Sequence, residues 1–507
     1  MKISYRKNLQ ISSVRSEDTW NKIEIYSFIQ DSKILRPLFT DSVITKFLSS
    51  KNKLIKTASE LYDKEISDSQ DANNSSFVTA VDNLPQYSAL RLKYFFNKNT
   101  VNPNLSADVS KGFEFVKLPE NLCTDTDVKK QYDKIMLKQL QDYRDLKTPT
   151  ENFLKRYLKF NTENRDQKRI LKNKTADILE YLLPLGLNSR VSMNANAGEY
   201  IEIISKLKSS NSLVENEIGE LMNNLLKDES HPNNISSVIN DLYPSDEYIK
   251  QNQSVLDYLS DEVITKQRIN FPMNELDGLE VSYVDDAIEE LITHYEYLIN
   301  PLGSAEEFNF TNEIQLDIGN LLFDTDSVNS LKSVGMMNGI RIHGMMSLAL
   351  VAKFLNTKSL TAFIPFFEDN EDFKQEIKRK SGRSFFVPQY LRTSDARGLR
   401  RKYEKRIVES YKLIKKWRVK AKECMSEEIV DEFTKYLLPN AHSTSFFFYV
   451  NPAEFENIVN SKLLDEDANI DEKMFVYEVI RLISIDDLIW KPLLRRHIKP
   501  DVNSKFN

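Results

Sequence analysis

Apolar residues recur at helical spacing in two long stretches. Tyr132, Ile135, Met136, Leu140 and Tyr143 share one helical face; Tyr403, Ile407, Val408, Tyr411 and Ile414 share another. Short runs rich in β-branched or aromatic residues, at 23–29, 190–193, 279–284 and 446–450, predict strands. The apolar run 348–352 predicts a buried helix. Two Tyr-Leu-Leu-Pro segments, ending at Pro184 and Pro439, close helical patterns, because proline cannot continue a helix and drives the residue before it out of the α region. Glu199 and Glu454 then open further helices. Residues 67–76 are the most loop-like stretch, and 228–275 has no strong apolar period. The elements predict an α/β (α+β) protein with more helix than sheet.

The pattern occurs twice. Tyr181-Leu-Leu-Pro recurs at Tyr436, 255 residues on, and each proline is followed after twelve residues by an asparagine, Asn196 or Asn451. Glu199-Tyr200 matches Glu454-Phe455. Ile23-Glu24-Ile25 matches Leu279-Glu280-Val281 at a spacing of 256, and SALRLKYFFN from Ser88 resembles SLALVAKFLN from Ser347 at 259. Three pairs in the same order at similar spacing predict a tandem duplication. The expected units are a first repeat at 1–235, a connecting segment at 236–275 and a second repeat at 276–507. At 507 residues, with 41% apolar residues, the chain is also too long for one core.

Composition removes several chemistries. Only 12 glycines occur, far below the ~7% of average usage, and neither phosphate-binding glycine motif is present. Two cysteines, Cys123 and Cys424, cannot build a disulfide framework or a Cys-rich zinc site, and their scarcity predicts a reducing, cytoplasmic setting. The histidines His231, His294, His343, His442 and His497 are not at metal-ligand spacing, so no protein-bound metal is expected. No apolar run approaches the ~20 residues that span a bilayer, so no membrane association is expected.

A helix ending in Leu-Pro, a short polar-to-aromatic strand, then Asn-x-x-Glu opening a helix is similar to the C-terminal half of the flavin-dependent thymidylate synthases. The whole chain resembles their long, two-copy relatives, residues 172–207 and 428–463 most closely. This resemblance implies two thymidylate-synthase-complementing-like repeats packed as a pseudo-dimer, each helix-rich with a small sheet. Active members bind FAD, dUMP, NADPH and methylenetetrahydrofolate, and methylate uracil C5 reductively without a cysteine nucleophile. They are oligomers with shared sites, which implies here a homo-oligomer, a dimer of two-repeat chains.

The family signature, Arg-His-Arg-x-x-Ser-x-Asn-x-x-Ser-x-Arg-Tyr, is missing. Its nearest equivalent is Arg341-Ile-His343-Gly-Met-Met-Ser347, ending in Lys353-Phe354 where Arg-Tyr is expected. By resemblance Arg341, His343 and Ser347 are candidate flavin contacts; His343 reads equally as a satisfied histidine at a helix start. In the first copy Glu114 would repel a phosphate. The C-terminal pattern of the family puts a basic residue four before the proline, asparagines twelve and eighteen after it, and an arginine five further on. The second copy offers Lys435, Asn451, Asn457 and Lys462 there, as candidate ligands for a uracil nucleotide or another anion; the first has Glu180, Asn196, Glu202 and Leu207. Lysine keeps the charge of arginine but loses its planar fork. Lys435 and Lys462 also read as helix-surface lysines, and Asn196 and Asn451 as helix caps.

One signal is independent of the resemblance. Residues 374–422 hold 18 Lys and Arg against 4 Asp and Glu, +14 in a chain whose net charge is −6. Lys378, Arg379, Lys380, Arg383, Arg400, Arg401, Lys402, Lys405 and Arg406 form its densest part. Phe385, Phe386, Tyr390, Tyr403, Tyr411 and Trp417 are interleaved. Cations with rings suit single-stranded nucleic acid or a flat anionic cofactor; a solvated helix face balanced by acids of the other repeat is the alternative. Two functions therefore stand as expectations: a flavin-dependent methyltransferase of nucleotide biosynthesis, or a pseudoenzyme that binds nucleic acid or organises an assembly.

Overall fold

The structure, a computed structural model, describes residues 12–15, 24–31, 75–95, 100–101, 114–160, 163–208, 210, 212–226, 280–283, 339–355, 361–364, 385–463 and 468–483. The expected connecting segment 236–275 and residues 67–74 of the loop expected at 67–76 lie outside the described residues; Ser75 and Ser76 are strand instead, paired with Asp31 and Gln30. The fold is helix-rich α+β with two antiparallel sheets.

In the first half, strands β1 (Ser12–Arg15), β2 (Glu24–Asp31) and β3 (Ser75–Pro85) lead into helix α1 (Gln86–Phe95) and the short strand β4 (Thr100–Val101). Helices α2 (Thr126–Tyr157) and α3 (Arg165–Leu179), strand β5 (Asn188–Asn196), and helices α4 (Ala197–Lys208) and α5 (Leu213–Leu226) follow. The second half runs β6 (Glu280–Tyr283), β7 (Ile340–Ser347), α6 (Leu348–Phe354), β8 (Thr361–Phe363), α7 (Gln389–Arg392), α8 (Arg397–Ala421), α9 (Glu427–Leu437), β9 (Ser443–Val450), α10 (Pro452–Ile458) and α11 (Ile470–Ile483). The sheets run β1-β2-β3-β5-β4 and β6-β7-β9-β8, so β2-β3-β5-β4 has the strand order of the second sheet.

Local chemistry explains the element ends. Asp125 caps α2, its carboxylate accepting from the Asp127 and Val128 amides, and Asn164 caps α3 in the same way. The apolar stripe expected from 132 to 143 is buried in α2; in α8, Tyr403, Ile407, Tyr411 and Ile414 are buried and Val408 is half-buried. Both Leu-Pro segments end helical structure as expected: Leu183 and Leu438 have ψ near 141°, the extended conformation imposed by the following proline.

The two Leu-Pro segments pair with each other, Pro184 opposite Pro439. The Leu185 amide donates to the Leu438 carbonyl (2.9 Å), and the Asn440 amide to the Leu183 carbonyl (2.8 Å). Gly186 donates to Tyr436 (2.7 Å) and Ala441 to Tyr181 (2.9 Å). Each half thus gives and receives the same two bonds, at positions 255 apart. The approach is close enough to require small residues: a Cβ on Gly186 would collide with Met136 and Tyr436. Helix starts are tied to this seam in matching fashion, Gln86 and Tyr87 donating to Leu187 and Leu185, Leu348 and Ala349 to His442 and Asn440.

These bonds correct one alignment. Gln86 stands where Leu348 does, a spacing of 262, so the match of Ser88 with Ser347 slips by three residues. A three-residue slip is nearly one helical turn and leaves the apolar face almost unchanged, which hides it from a periodicity argument. The alternative reading of His343 is also corrected: it is not at a helix start but inside strand β7, opposite Phe447 of β9 and Glu280 of β6. Helix α6 begins after Ser347, as the apolar run 348–352 predicts. Among the described residues no helix is long and apolar enough to cross a membrane.

Candidate functional site

The seam between the halves carries two groups of charged side chains at matching positions. In the first, Lys353 of α6 reaches across to Glu180 (2.5 Å) and Asp177 (3.2 Å). Glu472 of α11 pairs with Lys462 (2.6 Å), and beside Lys462 lies the buried Lys93 of α1, whose ammonium has a 3.4 Å contact with the Ala352 carbonyl. Burial pushes the Glu180 carboxyl up to about 7, with Lys353 pulling the other way and Asp177 adding to the rise. Burial opposes the charge on Lys353 too, but Glu180 and Asp177 outweigh it and hold that ammonium above its usual range. Among the described residues no carboxylate offsets the burial of Lys93, which with Lys462 nearby is pushed down to about 7.

In the second group Arg91 pairs with the buried Glu215 (2.5 Å), which also accepts from the Ser210 hydroxyl (2.5 Å). Glu432 accepts from Ser212 (2.7 Å) and Tyr436, and lies 3.7 Å from Lys435, whose ammonium is 5.9 Å from the centre of the Tyr87 ring. Arg91 occupies the place of Lys353, Glu432 that of Asp177, and Lys435 that of Glu180. Next to the first group, Asp471 accepts from the Tyr181 hydroxyl (3.0 Å) and the Gln389 amide (2.7 Å), and burial pushes its carboxyl up to about 6. It borders a pocket with Met345, Phe386, Arg392 and Phe475 that has room for about one water molecule. Sites for small organic ligands are roughly 300 Å³ or more.

The proposed nucleotide ligands are engaged with different neighbours. Lys435 faces Glu432 and Tyr87, and Lys462 faces Glu472 and Lys93. Asn451 is a helix cap: its side chain accepts from the Glu454 amide (2.9 Å), and the Glu454 carboxylate accepts from the Asn451 amide (3.2 Å). Asn457 is exposed on α10. The Asn196 side chain lies outside the described residues. Asn451→Ala is expected to lower stability by about 1 kcal/mol, the usual cost of losing such a cap, as a lower urea midpoint. Of the candidate flavin contacts, Arg341 is exposed and His343 half-buried on β7, whereas Ser347 is fully buried and its hydroxyl caps α6 by accepting from the Leu350 amide (3.2 Å).

The basic stretch divides by face. Lys378, Arg379, Lys380 and Arg383 lie outside the described residues. Along α8, part of the charge is neutralised: Arg400 by Glu404 (2.8 Å), Lys405 by Glu409 (3.9 Å), Arg418 by Asp431 (2.5 Å), and Lys422 by Glu427. Arg406 reaches Asp142 (3.0 Å) and Asp145 (3.5 Å) of α2, and Lys420 reaches Asp127 (3.7 Å), which sets α2 and α8 antiparallel. The other half therefore supplies acids to this helix, as the second of the two readings expects. Arg397, Arg401, Lys402, Lys412, Lys415 and Lys416 are exposed and without an ion-pair partner among the described residues. The aromatic residues face elsewhere. Tyr403, Tyr411 and Trp417 are buried, their polar atoms bonded to the Phe386 carbonyl (2.9 Å), His442 Nδ1 (2.6 Å) and the Val128 carbonyl (3.2 Å). Phe386 is buried, and Phe385 and Tyr390 are half-buried. These rings serve the core, so stacking with bases finds no support in them.

The sequence reading missed the central acids and bases of the seam: Lys353 as a bridge, Glu215, Glu432 and Asp177. Acids on an otherwise apolar helix face, such as Glu432 beside Phe433 and Tyr436, were the available signal. Among the described residues no cluster of His, Cys, Asp and Glu could hold a metal ion. No protein-family model matches the chain, and no curated protein matches it.

Proposed function

We propose that the chain is a tandem pair of copies similar to flavin-dependent thymidylate synthase, packed as a pseudo-dimer about the paired Leu-Pro segments, and that it acts as a non-catalytic module binding the phosphates of nucleic acid through α8. The matching strand orders and the reciprocal bonds at a spacing of 255 support the tandem reading. One contrast carries the function. The lysines in the nucleotide positions are engaged inside the protein, while Arg397, Arg401, Lys402, Lys412, Lys415 and Lys416 are exposed and without an ion-pair partner among the described residues. From Arg397 to Lys416 the helix runs about 28 Å at 1.5 Å per residue, long enough to follow several phosphates. With the rings turned inward, the contacts expected are to a duplex backbone and carry little sequence preference.

The catalytic reading needs FAD and dUMP to displace internal ion pairs at Lys435 and Lys462. It predicts a flavin band that shifts when dUMP is added. The binding reading predicts a colourless protein whose affinity for duplex DNA or RNA falls steeply with salt, with a log–log slope near −4.5 on B-DNA for about five neutralised phosphates. Arg401→Glu/Lys412→Glu/Lys415→Glu should lower affinity at least tenfold and flatten that slope, with an unchanged urea midpoint because all three side chains are exposed. Unchanged binding in this variant would reject the α8 surface. Charge reversal of Arg400 is less informative, since Glu404 already holds it.

A further inference from the structure

We infer that Cys123 and Cys424, the two cysteines of the chain, form a built site for one reversible disulfide that joins the N-terminal end of α2 to the C-terminal end of α8. Their sulfurs lie 3.7 Å apart although 301 residues separate them. Both sit on helix ends fixed by other bonds. The Cys123 amide donates to the Pro119 carbonyl (3.1 Å), two residues ahead of the Asp125 cap; the Cys424 amide donates to the Ala421 carbonyl (3.1 Å), just past the end of α8. The helices between are held in register by the Trp417 indole on the Val128 carbonyl and by Lys420 on Asp127. A disulfide needs its sulfurs at ~2.05 Å, so closing the bond calls for side-chain rotation at these anchored helix ends. This inference does not depend on the binding reading.

Exposure assigns the roles. Cys424 is exposed and Cys123 buried. With a hydroperoxide as oxidant, the Cys424 thiolate attacks the terminal oxygen, the O–O bond breaks, and an alcohol or water leaves with the two electrons taken from sulfur. The Cys123 sulfur then attacks the sulfenic acid, the S–O bond breaks, and a second water leaves with the new S–S bond in place. Desolvation and the hydrogen bond with Cys123, with added repulsion from Asp125 and Glu423, push the Cys424 thiol up to about 11. The thiolate is thus scarce at neutral pH, and oxidation should speed up about tenfold per pH unit between pH 7 and 9.

The test treats the full-length folded protein with hydrogen peroxide and counts thiols after unfolding. The expected result is loss of both thiols, an intact mass lower by two hydrogens, a linked peptide pair containing Cys123 and Cys424, and full reversal by dithiothreitol. Cys123→Ser should leave Cys424 as a sulfenic or over-oxidised acid, without a disulfide inside the chain. Chain-to-chain disulfides, over-oxidised Cys424 beside an intact Cys123 thiol in the unaltered protein, or two thiols that react only after unfolding would each overturn the inference.

Discussion

Arg418→Met is expected to lower the stability of the chain by about 3–5 kcal/mol at neutral pH, the usual result of removing one partner of a buried ion pair. The guanidinium lies 2.5 Å from Asp431, and both side chains are almost wholly buried, 8% and 9% exposed. Burial already pushes the Asp431 carboxyl up, and Arg418 is the strongest influence opposing that shift. Without it the weaker attractions of Lys422 and Lys435 stand against burial and the repulsion of Glu427, and its pKa must rise further. A carboxyl whose folded pKa exceeds its unfolded value takes up a proton on folding, so stability falls as pH rises between the two values. The deficit of the variant should therefore be largest near pH 7 and shrink towards pH 4. Arg418→Met/Asp431→Leu removes both charges and should recover most of the loss, since an apolar pair of similar volume has no desolvation cost. Urea midpoints at two pH values decide the matter; a double variant as weak as the single one would mean that Arg418 acts through its packing against Asp431's neighbours and not through its charge.

Elements defined by short-range chemistry were legible in the sequence; contacts made across the seam were not. The stripe from Tyr132 to Tyr143 needs only the 3.6-residue period, and the ends at Leu183 and Leu438 need only the proline that follows. Asn451 was readable as a cap because Glu454 stands three residues on. The recurrence of Tyr-Leu-Leu-Pro was visible too, but nothing local says that the two copies bond to each other. Strand β7 was hidden for a different reason: between His343 and Ser347 it has glycine and two methionines in place of β-branched residues, so the apolar run after it dominated the pattern. Ion pairs four apart, such as Arg400 with Glu404, can be read from spacing, whereas Arg406 and Asp142 meet only because α2 and α8 pack together. The separation of Cys123 from Cys424 made each look solitary for the same reason.

Lys93→Met is expected to stabilise the protein, by about 1–4 kcal/mol at pH 7 and below, taking as a guide the range seen when buried ion pairs give way to well-packed apolar residues of similar volume. Lys93 is 1% exposed, its ammonium has one weak contact at 3.4 Å among the described residues, and its charged neighbour Lys462 has the same sign. Its folded pKa of about 7 lies below the ordinary 10.5, so in this interval the unfolded chain holds the proton and the folded chain does not. Stability contributed by this group therefore rises from pH 7 towards 10.5. Glu180 acts in the opposite sense: raised from 4.5 to about 7, it binds a proton on folding, and its contribution falls as pH rises through that interval. Lys353, held above 10.5, contributes a loss only at still higher pH. Together Lys93 and Glu180 place a trough in stability near pH 7. The methionine variant should keep the falling acidic arm, to which Glu180, Asp471 and Asp431 contribute, and lose the rising alkaline arm between pH 7 and 9.5. Urea midpoints across pH 5–9.5 separate the two arms. A variant less stable than the parent at pH 7 would show that the Ala352 contact outweighs the desolvation of the amine, and that α1 is held to α6 by that bond and not by its apolar face.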